Sequence, residues 1–279
     1  MDISQLYNIK HLTVLAEQYS LRPSKEFGQN YLISQGAIAT IVKTAELSTT
    51  DVVLEIGPGF GVLTFALLPH VGRVVAFEIE QKLLPYWKGF EGDFDNLSLI
   101  WGNATKTVPQ FIDNIGPYKV VANVPYQITS QIFRLFLEAE KPPEHMVLMV
   151  QKEVAQRVCA KPGDMSLLAV SVQYFGIPKM VKKVPNTAFW PTPRVDSAIL
   201  SISHITKKSP EQRAAFFRLV KVGFSNKRKQ LWHNITHGLD LSGDQVKKVL
   251  QDVTGNAKIR AQELSVDQWE LLKNRLSSL

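Results

Sequence analysis

Apolar positions recur along the chain in two rhythms. Near the start, Leu12, Leu15, Ala16 and Tyr19 fall on one face of a helix spanning Ile9 to Tyr19. A basic, glycine-containing segment, Pro23 to Tyr31, separates it from a second helix, Gln35 to about Leu47. Short, solidly apolar runs then alternate with helical patterns. Asp51 to Ile56, Arg73 to Phe77, Leu97 to Trp101, Lys119 to Ala122 and His145 to Val150 read as five buried strands. Phe60 to Leu68, Ser130 to Ala139 and Lys152 to Ala160 read as helices among them. Such alternation predicts an α/β domain whose mostly parallel sheet is covered on both faces.

Leu167 to Phe175 fits helix and strand equally, while Met180 to Val184 and Ser197 to Ile205 add two strands. Beyond Thr206 the pattern changes. Lys207-Lys208-Ser209-Pro210 reads as a linker, followed only by helices: Glu211 to Gly223, Lys227 to Thr236, Gly243 to Val253 and Val266 to Leu276. The division expected is therefore 1–206 and a small all-helical domain, 207–279.

Composition narrows the partners. Thirty-two Lys and Arg against 25 Asp and Glu give +7 over 279 residues, a surplus that favours a polyanion. The single cysteine, Cys159, excludes an intrachain disulfide and a cysteine zinc cluster. His233 and His237 stand one helical turn apart without a third ligand in sight, so no metal is expected. No apolar run reaches the ~20 residues a membrane span needs, and the N-terminus has no signal-peptide pattern, so a cytoplasmic enzyme is expected.

Two strand ends carry candidate chemistry. Val53-Leu54-Glu55-Ile56-Gly57-Pro58-Gly59-Phe60-Gly61-Val62 runs from a strand through a glycine turn into a helix. Glycines at 57 and 59 let a ligand approach the backbone. Val62 stands where a dinucleotide fingerprint needs its last glycine, which argues against a nicotinamide dehydrogenase. With Glu55 inside the strand, the turn suits S-adenosylmethionine, which has no pyrophosphate to cradle. Glu78, closing the next strand, is placed to accept bonds from both ribose hydroxyls; the competing reading is a helix cap, the role given to Glu80. Asn103, closing the third, reads either as an adenine contact or as a turn residue.

The fourth strand ends in Asn123-Val124-Pro125-Tyr126. Adenine N6 is a poor nucleophile because its lone pair is delocalised into the ring. The Asn123 side-chain oxygen and the Val124 carbonyl can each accept an N6–H bond, orienting that lone pair and stabilising charge developing on nitrogen. Pro125 stiffens the loop, and Tyr126 offers a stacking face for an extruded base.

With these residues the chain resembles the ribosomal RNA adenine dimethyltransferases of the KsgA/RsmA type over nearly its whole length. Ser24-Lys25-Glu26-Phe27-Gly28-Gln29-Asn30-Tyr31-Leu32 is similar to the family's N-terminal motif, which adds Gln29, Asn30 and Leu32 to Gly57, Gly59, Glu78, Asn103 and Asn123 as cofactor residues. Phe189-Trp190-Pro191-Thr192-Pro193-Arg194-Val195-Asp196-Ser197-Ala198 matches F-x-P-x-P-x-V-x-S-A, and the resemblance implies that Phe189 lies against the target base opposite Tyr126. Phe224-Ser225-Asn226-Lys227-Arg228-Lys229-Gln230-Leu231 is close to F-x-x-R-R-K-x-L, implying RNA contacts at Lys227, Arg228 and Lys229; the tail Arg260 to Ser265 also matches.

The resemblance implies a Rossmann-like class I methyltransferase with a seven-stranded sheet. Its activity would be N6-dimethylation of adjacent adenosines near the 3′ end of 16S-type ribosomal RNA, by a monomer and linked to ribosome biogenesis. Departures from the family are Asn103 for Asp, Lys227 for Arg, Gln127 where Asn or His is commoner, and Met165 to Val170 for Y-G-x-L-S-V. Two alternatives stand beside this reading. One is an Erm-type enzyme of large-subunit RNA, disfavoured by the basic run and the tail; the other is a catalytically silent assembly factor, disfavoured by the intact Asn123 to Tyr126.

Overall fold

The computed structural model describes residues 3–21 and 30–277. These residues form nine strands: β1 (Tyr31–Leu32), β2 (Val52–Ile56), β3 (Arg73–Glu78), β4 (Leu97–Trp101), β5 (Lys119–Asn123), β6 (His145–Gln151), β7 (Ile177–Val184), β8 (Phe189–Trp190) and β9 (Ser197–Ser203). Seven of them make one sheet in the order β4-β3-β2-β5-β6-β9-β7. Strands β2 to β6 run parallel, and β9 joins β6 antiparallel with Leu148 opposite Leu200. The expected mostly parallel, seven-stranded architecture is therefore present.

Solvent exclusion from both faces explains why these strands read as unbroken apolar runs: Val53, Leu54, Val74, Val75, Ala76, Val120, Val121 and Ala122 are all fully buried. The helices start where small polar residues satisfy their free amides. Asn8 caps Ile9–Gln18, Ser34 caps Gln35–Thr44, and Ser166 caps Leu167–Gln173. The last of these settles the ambiguous stretch as helix. In chain order the sheet grows outward from β2 through β3 to β4, then returns to β5 on the other side of β2. That reversal opens a crevice at the carboxyl ends of β2 and β5, the usual ligand position in open α/β sheets.

The chain forms two compact units, Met1–Ala155 with Pro178–Ile205, and Gln156–Ile177 with Thr206–Leu279. The stretch 156–177 thus belongs with the helical unit, although the sequence pattern assigns everything before 207 to the first domain. Within this second unit Ser209 and Ser265 form capping boxes with Gln212 and Gln268, and Tyr174 stacks on Phe216 at 3.9 Å. Its second long helix begins at Leu231, four residues later than the pattern predicts. The Asn234 side chain donates to the carbonyls of Gly223 (2.6 Å) and Asn226 (3.0 Å), while Leu231 N–H bonds the Ile259 carbonyl at 2.8 Å. These tertiary bonds hold 224–230 as a turn. Lys227, Arg228 and Lys229 are exposed on it rather than on a helix.

Candidate active site

The crevice contains a cavity lined by Asn30 to Leu32, the glycine turn, Glu78 and Asn123 to Tyr126, all within the first unit. The turn is held from behind by two aromatic donors. Trp87 Nε1–H reaches the Gly59 carbonyl at 2.9 Å and Tyr86 O–H the Phe60 carbonyl at 2.8 Å. Gly61, at φ +84°, begins the helix Val62–Leu67, and a Cβ there would stand 2.6 Å from Phe65 and 2.8 Å from Trp87. Only glycine fits that position.

Glu78 is almost fully buried. Its Oε2 accepts from Gly59 N–H at 3.0 Å; its Oε1 accepts from Ile79 and Glu80 N–H, each at 2.8 Å. Burial raises its pKa, and the three amide donors oppose that shift. A carboxylate offers about four acceptor positions, so three amides leave room for a ligand hydroxyl. The two roles open to Glu78 are therefore compatible: the side chain organises the start of the following turn and also lines the cavity. Glu80 accepts from Lys82 N–H, the capping role expected of it.

Glu55 lies beneath the turn, fully buried, and accepts a 2.6 Å bond from Thr64 Oγ1. Loss of hydration pushes its pKa up to about 8, against the lowering effect of that bond.

At the end of β5, Asn123 Nδ2 donates to the Asn30 carbonyl at 3.0 Å. With its nitrogen so committed, the amide presents Oδ1 as its acceptor. Val124 N–H bonds the Met149 carbonyl at 3.2 Å, holding the loop to β6. The Tyr126 hydroxyl is 2.6 Å from Ser197 Oγ, a side chain with no exposure at all. Asn30, Leu32, Gly57, Gly59, Glu78, Asn123, Val124, Pro125 and Tyr126 are thus brought together.

Three expected residues stand apart. Gln29 lies outside the described residues. Asn103 closes β4, two strands from β2, but is exposed and outside the cavity lining; its Oδ1 accepts from Thr105 N–H and Oγ1 at 2.9 and 2.8 Å. Phe189 pairs with Leu32 in the two-stranded β1–β8 sheet and is 1% exposed, among the core residues instead of the cavity lining. Conversely, Tyr31, Ile79 and Ser197 join or support the site with no assignment from the sequence pattern, because only tertiary pairing brings them there.

Among the described residues the lining holds no lysine or arginine, a set unsuited to pyrophosphate. Glu78 fits a ribose hydroxyl and the glycine turn a closely approaching chain, so the residues present fit S-adenosylmethionine. Sheet order, glycine turn and acidic strand ends together define a class I methyltransferase that uses this cofactor. Residues 21–277 match the family model described as Ribosomal RNA adenine dimethylase. A Ribosomal RNA small subunit methyltransferase A of Dehalococcoides mccartyi is 43% identical over 263 residues, covering 92% of this chain and 90% of its own. Among solved structures, a dimethyladenosine transferase from Plasmodium falciparum aligns with a TM-score of 0.73 at 26% identity, covering 86% of this chain and 95% of its own. The 23S rRNA methyltransferase ErmE aligns at 0.72 and 25%, covering 88% and 99%. The chain belongs to the ribosomal RNA adenine dimethylase family.

Proposed function

We propose that the protein methylates the exocyclic N6 of adenosines in small-subunit ribosomal RNA, adding two methyl groups to each of an adjacent pair near the 3′ end. The observation that carries this reading is the Asn123 amide, fixed by the Asn30 carbonyl so that its oxygen serves as acceptor beside Pro125 and Tyr126. S-adenosylmethionine supplies an electrophilic methyl group. Asn123 Oδ1 and the Val124 carbonyl accept the N6–H bonds and favour the nitrogen geometry from which its lone pair attacks. Tyr126 stacks on the extruded base. The nitrogen proton that must be lost is acidic after transfer and leaves to water.

Cofactor contacts are assigned to Gln29, Asn30, Leu32, Gly57, Gly59, Glu78 and Asn123, with Asn103 at the neighbouring strand end. The unit of 1–155 with 178–205 carries the catalysis and the helical unit of 156–177 with 206–279 binds RNA, with Lys227, Arg228 and Lys229 on phosphates. The protein acts as a cytoplasmic monomer in ribosome biogenesis. Among the described residues no helix is long and apolar enough to cross a membrane, and no cluster of three metal-ligating side chains occurs.

The small subunit is favoured because the 43% identical relative carries that name, whereas the resemblance to the 23S enzyme is at 25% identity. Labelled methyl transfer to unmethylated small and large ribosomal particles, followed by nucleoside analysis, tests it. N6-dimethyladenosine confined to small-subunit RNA is the expected result. Product confined to the large subunit would transfer the protein to the Erm type, and binding without product would make it an assembly factor.

A further inference from the structure

Tyr31 has a buried hydroxyl with no hydrogen-bond partner among the described residues. The residue is 8% exposed, and its ring packs against Phe60 and Trp190 at centroid distances of 5.0 and 6.0 Å. A phenylalanine would make the same ring contacts without burying an unsatisfied oxygen. Native interiors hold few such orphans, because each forfeits its bonds to water.

The orphan lies in a particular place. Tyr31 lines the cavity with Gly59 and Glu78, and its ring edge is so near Gly59 that a Cβ there would sit 2.7 Å from Cε1. The same Gly59 donates its N–H to Glu78. Burial first, then the charges of Glu78 and Glu80, hold the phenol far above its ordinary ionisation range, so it stays a donor. A ribose hydroxyl that gives its hydrogen to Glu78 keeps oxygen lone pairs that lack donors of their own.

We propose that the Tyr31 hydroxyl is a cofactor-binding group, donating to the ribose oxygens of the nucleoside that Glu78 holds. This rests on reading the cavity as the S-adenosylmethionine site. The orphaned oxygen is then a cost carried by the free protein and recovered on binding.

Tyr31→Phe separates the two effects. Calorimetric titration with S-adenosylhomocysteine and with methylthioadenosine, which keeps the ribose but lacks the amino-acid end, should show both ligands weakened by a common factor of roughly ten, about 1.4 kcal/mol. The ligand-free variant should melt at or above the temperature of the wild type. Unchanged affinity for both ligands would overturn the proposal. So would a loss confined to S-adenosylhomocysteine, which would move the hydroxyl to the amino-acid end, or a lower melting temperature, which would mean the hydroxyl is already satisfied. Wild-type protein that binds neither ligand would overturn the cavity assignment itself, and Tyr31 with it.

Discussion

Asn123 and Asn30, 93 residues apart, meet through a single 3.0 Å bond from side-chain amide to backbone carbonyl. The bond fixes which end of the amide is donor and which acceptor. On the proposed mechanism, Asn123→Ala removes the acceptor for the adenine amino group but none of the contacts around Glu78. Methyl transfer is expected to be nearly abolished, while cofactor affinity by calorimetry falls far less, by no more than the single contact assigned to Asn123. Asn123→Asp keeps an acceptor but faces the Asn30 carbonyl with a second oxygen, so it should fail in transfer as well. Parallel loss of affinity and transfer in the alanine variant would remove the role assigned to Asn123.

Ser197 is buried on β9 and bonds the Tyr126 hydroxyl at 2.6 Å. Without that bond the ring keeps its chemistry and loses its fixed plane. Ser197→Ala should lower kcat several-fold with cofactor Kd unchanged. A fluorescent adenine analogue at the target position should report weaker base extrusion. If Ser197→Ala has no further effect in a Tyr126→Phe background, the effect runs through that bond.

Glu55 has a folded pKa of about 8 against an ordinary 4.5, so the folded state holds its proton where the unfolded state has lost it. Its contribution to stability is therefore complete below about pH 4.5, falls as pH rises through the interval, and levels off above about 8. Glu55→Gln, which cannot ionise, should flatten this fall in denaturant midpoints measured from pH 5 to 9. A variant with the same slope as wild type would contradict a neutral Glu55.

Neutralising Lys227, Arg228 and Lys229 together should weaken RNA binding without altering cofactor affinity. The slope of log K against log salt should drop by about 0.7 to 0.9 for each phosphate that the variant no longer neutralises. An unchanged slope would reduce the exposed turn to an ordinary solvated surface.

The sheet is legible in the sequence because its strands are buried on both faces and therefore continuously apolar, as in Val74 to Phe77. The cofactor turn and the Asn123 loop are legible because each is local and ends a strand. Features made by distant partners are not. A two-residue strand such as Tyr31–Leu32 has no periodicity, and only its pairing with Phe189–Trp190 defines it. Helical spacing in Lys227 to Thr236 carries no trace of the Asn234 bonds that delay the helix to Leu231. The motif around Phe189 implies a place against the target base, and neither its pairing with Leu32 nor its burial is marked by any local pattern.

The assignment of 156–177 to the helical unit has a consequence for dissecting the gene. No uninterrupted reading frame encodes that unit, since its two segments are separated by residues 178–205. A stop codon after residue 206 would strand the helix Leu167–Gln173 and the Tyr174 ring without Phe216, its stacking partner at 3.9 Å. Expressed from 207 onward, the remainder would lose the same interface from the other side. Each half would expose an aromatic surface prone to aggregation, so point substitutions test the roles proposed for the two units more cleanly than truncation.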